Sequence, residues 1–246
     1  MALGEYSTAL VTGASSGIGE ATVRSLSHRG LTVHAVARRQ PRLVKLAKDT
    51  GCCAHVLDLR DTDRLYQELS QLEVDVLINN AGLGRGFERL FEANPHDIDA
   101  TLQTNVIAAF HVLRALLPGM VARKYGHIFN ISSTGALYPI GSSVYGASKG
   151  AIHRLSQNLR LELKGTGVRM TEICPGRTRT EFFEVAIDDP TTRKKIKDSG
   201  ISDLQPDDIA NAIIYALDAP PRVNVNLIEL QPTEQVFGGM SFHPVS

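Results

Sequence analysis

Tyr145 and Lys149, four positions apart in the run Ser143-Val-Tyr-Gly-Ala-Ser-Lys149, carry the clearest chemistry in the chain. One turn of helix brings a phenol and an ammonium onto the same face. A free tyrosine gives up its proton only near pH ~10. A neighbouring cation stabilises the phenolate and draws that pKa toward the working range, so a tyrosine placed this way can act as a proton donor. Taken alone, the same spacing also describes an amphipathic helix with one exposed lysine.

The weight shifts because of Ser7-Thr-Ala-Leu-Val-Thr12-Gly-Ala-Ser-Ser-Gly-Ile-Gly19 upstream. Here an apolar run is broken by Gly13, Gly17 and Gly19, and Ile18, Ala21, Thr22 and Leu26 then recur at helical spacing. The pattern reads as strand, tight turn, helix. Such a turn, here carrying Ser15 and Ser16, leaves backbone N–H groups at a helix N-terminus, where they bind phosphate, and its glycines let a pyrophosphate approach.

Elements must then hold these two sites together. Strand-like runs at 9–11, 32–37, 54–57, 74–78, 127–131, 169–174 and 226–230 alternate with helical patterns. This alternation predicts an α/β fold: a single doubly wound Rossmann domain over 1–246, with a parallel sheet of about seven strands and helices on both faces. Ile98, Leu102, Val106, Ala109, Leu113, Leu117 and Met120 form the core-facing stripe expected of the longest helix. Ligands on such sheets bind beyond the carboxyl ends of the strands. Thr12, Asp58, Asn79, Ser133 and Pro175 each follow an expected strand and so converge on one crevice.

Thr12-Gly-Ala-Ser-Ser-Gly-Ile-Gly19, Asn79-Asn-Ala-Gly82, Asn105 in a long helix, Asn130-Ile-Ser-Ser133, Tyr145-x-x-x-Lys149 and Pro175-Gly176 occur in that order. In this the chain resembles the short-chain dehydrogenase/reductase family over nearly its whole length. Its closing stretch, 224–235, looks like the subgroup that oxidises 3-hydroxy acids such as serine and allo-threonine with NADP. The resemblance implies hydride transfer between a nicotinamide and a small alcohol or ketone. Tyr145 would be the general acid/base, and Lys149 would bind the nicotinamide ribose as well as lower the Tyr145 pKa. Asn105 would be a water-holding member of the proton relay, and a serine would hold the substrate oxygen. Spacing from the tyrosine selects Ser132 for that serine; register from the strand selects Ser133, the preferred reading because a strand is the stiffer ruler. The resemblance also places Asp58 and Leu59 at the adenine, Asn79, Ala81 and Gly82 on the adenosine side, and Thr178 and Thr180, after Pro175-Gly176, by the carboxamide and pyrophosphate. It implies a homotetramer built on the helices containing Asn105 and Tyr145.

Ala37-Arg38-Arg39 stands where NAD-dependent relatives carry an acidic residue. Arginine attracts a 2′-phosphate where a carboxylate would repel it, so NADP is the expected cofactor; a solvated turn is the plainer reading of two arginines. Arg85, Arg177 and Arg179 could draw an anionic substrate, or could be solvated loop charges. The charged segment 181–200 reads as a mobile lid.

Composition narrows the partners. Formal charge is zero, with 26 basic and 26 acidic residues and no basic run, which argues against nucleic acid or an anionic membrane surface and for a small-molecule substrate. No segment stands out as a membrane span or a signal peptide, so a cytoplasmic location is expected. Three cysteines are too few for a disulfide framework and read as buried thiols, and the histidines lack metal-ligand spacing, so no metal is expected. Two other function classes stay open. Gly13-Ala-Ser-Ser-Gly17 and Gly146-Ala-Ser-Lys-Gly150 fit a serine-hydrolase elbow, although neither position suits one. A non-catalytic NADP sensor of the same fold would not need the proton donor.

Overall fold

The computed structural model describes residues 2–235; Met1 and 236–246, the ends of the expected domain, lie outside the described residues. Seven strands, β1 (Thr8–Thr12), β2 (Thr32–Ala37), β3 (Cys53–Val56), β4 (Val76–Asn79), β5 (Gly126–Ile131), β6 (Val168–Pro175) and β7 (Leu227–Leu230), form one sheet in the order β3-β2-β1-β4-β5-β6-β7. All six pairings are parallel. Parallel strands covered on both faces are buried on both: β5 and β6 are buried at every position, Asn130, Arg169 and Glu172 included, and β1 at every position but its first.

On one face, Val23, Leu26, Ile209 and Ile213 of α1 (Gly17–His28) and α9 (Pro206–Asp218) pack with Val11, Ile78 and Phe129. On the other, α3 (Thr62–Leu69), α5 (Ala108–Arg123) and α6 (Ser143–Glu162) bury Leu65, Val112, Leu116 and Leu159 with Leu10, Leu77 and Ile128. The strand order reverses direction between β1 and β4, which opens the crevice at their carboxyl ends. Between the two strands, the Thr12 hydroxyl accepts from Asn80 N and Ala81 N, both at 2.9 Å, and Asn80 Nδ2 donates to Thr12 O at 2.9 Å.

The longest helix departs from the expected stripe. It is α4 (Pro95–Leu102), a π turn (Gln103–Ile107) and α5 in succession. The π turn adds a residue to one loop of hydrogen bonds and rotates everything before it. Leu102 is consequently exposed, and Thr101 and Asn105 are the buried residues there. Among the described residues, the run Pro95–Arg123 is the one helix long and apolar enough to cross a membrane, which corrects the expectation that no segment would reach that length. Here it lies against the sheet, with Val112, Leu116 and Met120 in the core.

Candidate active site

The glycine turn after β1 is shaped by close contacts. Gly13 and Gly17 have φ of +66° and +54°, in the left-handed region. A Cβ on Gly13 would lie 2.9 Å from Ala81 Cα, and one on Gly17 2.9 Å from Thr180 Cγ2. A Cβ on Gly19 would come 2.3 Å from Gly13 O, so Gly19 serves the packing of helix on turn and does not itself line the cleft. Ser16, at the N-cap of α1, makes no side-chain cap, so that side chain claims none of the first helical amides.

The turn opens into a cleft of about 660 Å³. Gly13, Ser15, Ser16, Gly17 and Ile18 line it, with Arg38, Arg39, Asp58 and Leu59 at one end. Ala81, Gly82, Ser133, Tyr145, Lys149, Pro175, Gly176, Thr178 and Thr180 line the rest. Asn79 does not. Strand alternation turns its side chain into the core, where Nδ2 donates to Asn130 Oδ1 at 3.2 Å, and Asn80 is the asparagine in the cleft wall. That corrects the assignment of Asn79 to the adenosine side.

At the end lined by Arg38 and Arg39, the Arg39 guanidinium donates to Ser15 Oγ at 3.0 Å and Ser16 Oγ at 2.5 Å, and pairs with Glu181. Asp58 pairs with Arg60 at 2.5 Å and lies 3.8 Å from Arg38; the Arg60 hydrogen bond, more than Arg38, holds its carboxyl below the usual range. The cations and the unclaimed helix amides match a dinucleotide carrying an extra phosphate. Arg42, Arg60, Asn80 and Glu181 escaped sequence reasoning. Asn80, inside the Asn79-Asn-Ala-Gly82 run, and Arg60, two residues from Asp58, gave a local signal.

At the other end Tyr145 stands between two rings, stacked on Phe87 at 5.5 Å and tilted against Phe182 at 5.1 Å. Ser133, whose hydroxyl accepts from Gly135 N at 3.0 Å, lines the cleft with it, and its hydroxyl acts to lower the pKa of the phenol. Ser132 turns the other way, donating to Lys149 O at 3.3 Å. Lys149 Nζ donates to Ile131 O at 2.9 Å and lies 5.9 Å from the Tyr145 ring centre. Burial sets both pKa values: it pushes Tyr145 up to about 12, against the opposing pull of the Ser133 hydroxyl, and Lys149 down to about 8. Burial thus holds the phenol above the usual tyrosine range, where the lysine alone was expected to draw it down.

Asn105, buried in the π turn, accepts from Leu83 N at 2.6 Å and donates to Leu83 O and Ser148 Oγ at 2.8 and 3.0 Å. It lies outside the cleft lining, across Gly82 from Lys149: a Cβ on Gly82 would be 3.6 Å from Asn105 Oδ1 and 3.5 Å from Lys149 Nζ. The charged segment expected to be a lid folds as α7 (Phe182–Ala186) and α8 (Pro190–Lys197). Of the three arginines expected to attract an anion, Arg177 lines the cleft and Arg85 and Arg179 do not. Arg85 pairs with Asp188 at 2.6 Å and Asp97 at 3.7 Å, buried Arg177 pairs with Asp203 at 2.6 Å, and Arg179 is exposed. Cys52 and Cys174 are buried but Cys53 is exposed, correcting one of the three expected thiols. Ser15 and Ser148 have no hydrogen bond to a histidine among the described residues, so neither forms a hydrolase dyad.

A parallel sheet in this order, a glycine turn at its switch point, and a Ser–Tyr–Lys group across the cleft define a class of dehydrogenase. The short chain dehydrogenase model matches residues 7–190, and the chain belongs to that family. Among its relatives is the NADP-dependent 3-hydroxy acid dehydrogenase YdfG of Escherichia coli strain K12, 38% identical over 245 residues, covering 95% of this chain and 98% of the relative. An uncharacterised short-chain type dehydrogenase/reductase, y4eK, of Sinorhizobium fredii is also 38% identical, over 99% of this chain and 98% of its own. Among solved structures, the closed form of a serine dehydrogenase complexed with NADP+ superposes with a TM-score of 0.89 at 36% identity, covering 96% and 99% of the two chains. The protein is an oxidoreductase of this fold.

Proposed function

We propose that this enzyme interconverts a small secondary alcohol and its ketone with NADP(H), within a single binding and catalytic domain that includes the lid. The observation that carries the reading is the grouping of Ser133, Tyr145 and Lys149 in one cleft, with Lys149 Nζ 5.9 Å from the Tyr145 ring and Arg38 and Arg39 lining the other end. The NADP-dependent relative and the NADP+ complex support the cofactor, as do Arg38 and Arg39. When bound, the cofactor supplies or accepts the hydride. Ser133 holds the substrate oxygen, and Tyr145, protonated at neutral pH, gives that oxygen its proton as negative charge builds on it. Phe87 and Phe182 keep water from the reacting carbon. Lys149, anchored on Ile131 O, supplies a positive charge beside the phenol and the ribose site. Asn105 fixes the Leu83 backbone next to Lys149 and holds the relay water that reprotonates it. We assign the enzyme to the cytoplasm and to a homotetramer on family analogy.

The named activity of the relative favours a 3-hydroxy acid such as serine or 3-hydroxypropionate as substrate. A second reading, reduction of neutral ketones, is favoured by the paired arginines and by the aromatic wall of Phe87 and Phe182, because a carboxylate buried without a cationic partner is costly. Initial rates with NADP and matched pairs of 3-hydroxy acids and neutral alcohols separate them. A higher kcat/KM for the acids supports the first reading; a higher value for the neutral alcohols supports the second. No cofactor turnover with either set would overturn the reaction class.

A further inference from the structure

Glu181 lines the cleft one residue before Phe182, and both of its carboxylate oxygens are taken by arginines: Arg39 of the facing wall, and Arg42, which stands outside the lining. Arg39 Nη1 donates to Oε2 at 2.7 Å and Arg42 Nη1 to Oε1 at 2.6 Å. Arg39 is also bonded to Ser15 and Ser16 of the glycine turn, so its guanidinium joins the lid to the phosphate-binding loop. A carboxylate forked between two guanidiniums uses the same donors that a phosphate monoester would use. The charges at this end support a comparison: among the described residues, the guanidiniums of Arg38, Arg39, Arg42 and Arg60 pair with the carboxylates of Asp58 and Glu181. That leaves an excess of positive charge matched to a phosphate monoester of about −1.5 to −2. The hydrogen bonds from Arg39 and Arg42 hold the Glu181 carboxyl below its usual range, so it is an anion at neutral pH.

We propose that Glu181 is an internal competitor for the 2′-phosphate subsite, a specificity-determining residue that an arriving 2′-phosphate displaces from Arg39. This rests on the NADP reading above. Two consequences follow from linkage. Glu181 weakens binding of any 2′-phosphorylated ligand while leaving its unphosphorylated analogue alone. Displacing it also frees the start of α7, and with it Phe182, whose ring packs on Tyr145 and Phe87. The adenosine end of the cleft thereby reports its occupancy to the wall of the reaction centre.

Calorimetric titration of the whole protein with 2′,5′-ADP and with ADP tests this, using wild type and Glu181→Gln. Neither fragment reaches the nicotinamide end, so the readout is independent of turnover. The variant is expected to bind 2′,5′-ADP about three- to tenfold more tightly, the range for losing one or two exposed ion pairs. ADP affinity should stay within about twofold, and the gain should shrink as salt rises. Hydrogen exchange at 182–186 should increase when wild type binds 2′,5′-ADP but not ADP. Unchanged or weaker binding of 2′,5′-ADP by the variant, or an equal gain for both ligands, overturns the proposal; if wild type still prefers 2′,5′-ADP, the NADP reading survives. A wild type that does not distinguish the two fragments overturns both. Equal exchange at 182–186 with either ligand overturns the coupling to the lid.

Discussion

Burial moves Tyr145 and Lys149 in opposite directions on the pH scale, the phenol up to about 12 and the ammonium down to about 8. In the reducing direction Tyr145 must carry its proton and Lys149 its charge. Tyr145 satisfies this throughout the ordinary range, so Lys149 sets the limit: it loses its proton as pH rises through about 8. The kcat/KM for ketone reduction is expected to be flat below that value and to fall above it, which a pH series of initial rates checks. Ser133→Ala should cost about 10²-fold in turnover, as removal of a single donor to a developing oxyanion does. Ser132→Ala should cost less, because its hydroxyl is spent on the α6 backbone. Ser133, Tyr145 and Lys149, which share the cleft, could be read from the sequence because each lies in a short local run. The partners of Arg85 and Arg177 could not: Arg85 and Asp188 are 103 residues apart, and only the folded lid brings them together. Asn79 and Asn80 are neighbours in sequence, and nothing but the pleat decides which of them faces the cleft.

Each strand of the sheet overlaps the run expected for it, since apolar runs bounded by turn residues carry their own signal. The π turn did not announce itself, because helical periodicity gives no sign of one inserted residue until the buried face is seen to rotate. Its consequence is specific: Asn105, in that turn, reaches Leu83 with both ends of its amide. The glycine turn is similarly unforgiving. In Gly19→Ala the new Cβ would meet Gly13 O at 2.3 Å, a backbone atom that cannot move without opening the turn. That variant is expected to lose about 1–3 kcal/mol of stability, typical of overpacking, and to bind NADPH poorly; urea unfolding and cofactor titration measure the two effects.

Over the whole molecule the fold class was legible and the assembly less so. The long helical run and α6 leave Leu102, Ile107, Phe110 and Leu161 exposed, between 38% and 77%. On the tetramer reading some of these side chains meet their counterparts in another copy. Light scattering should then give about four times the 26.7 kDa chain mass, and Phe110→Glu should lower it by placing a charge in an apolar contact. The central claim is that a NADP(H) cleft presents its carbonyl substrate to the Tyr145 proton, and parallel measurement of NADPH binding and NADPH-dependent ketone reduction in wild type and Tyr145→Phe tests it most directly. NADPH affinity should be nearly unchanged in the variant, while turnover falls by about 10²–10⁴-fold, the usual contribution of a general acid. Retention of more than about a tenth of wild-type turnover would contradict the account, as would a wild type that consumes no NADPH with any ketone.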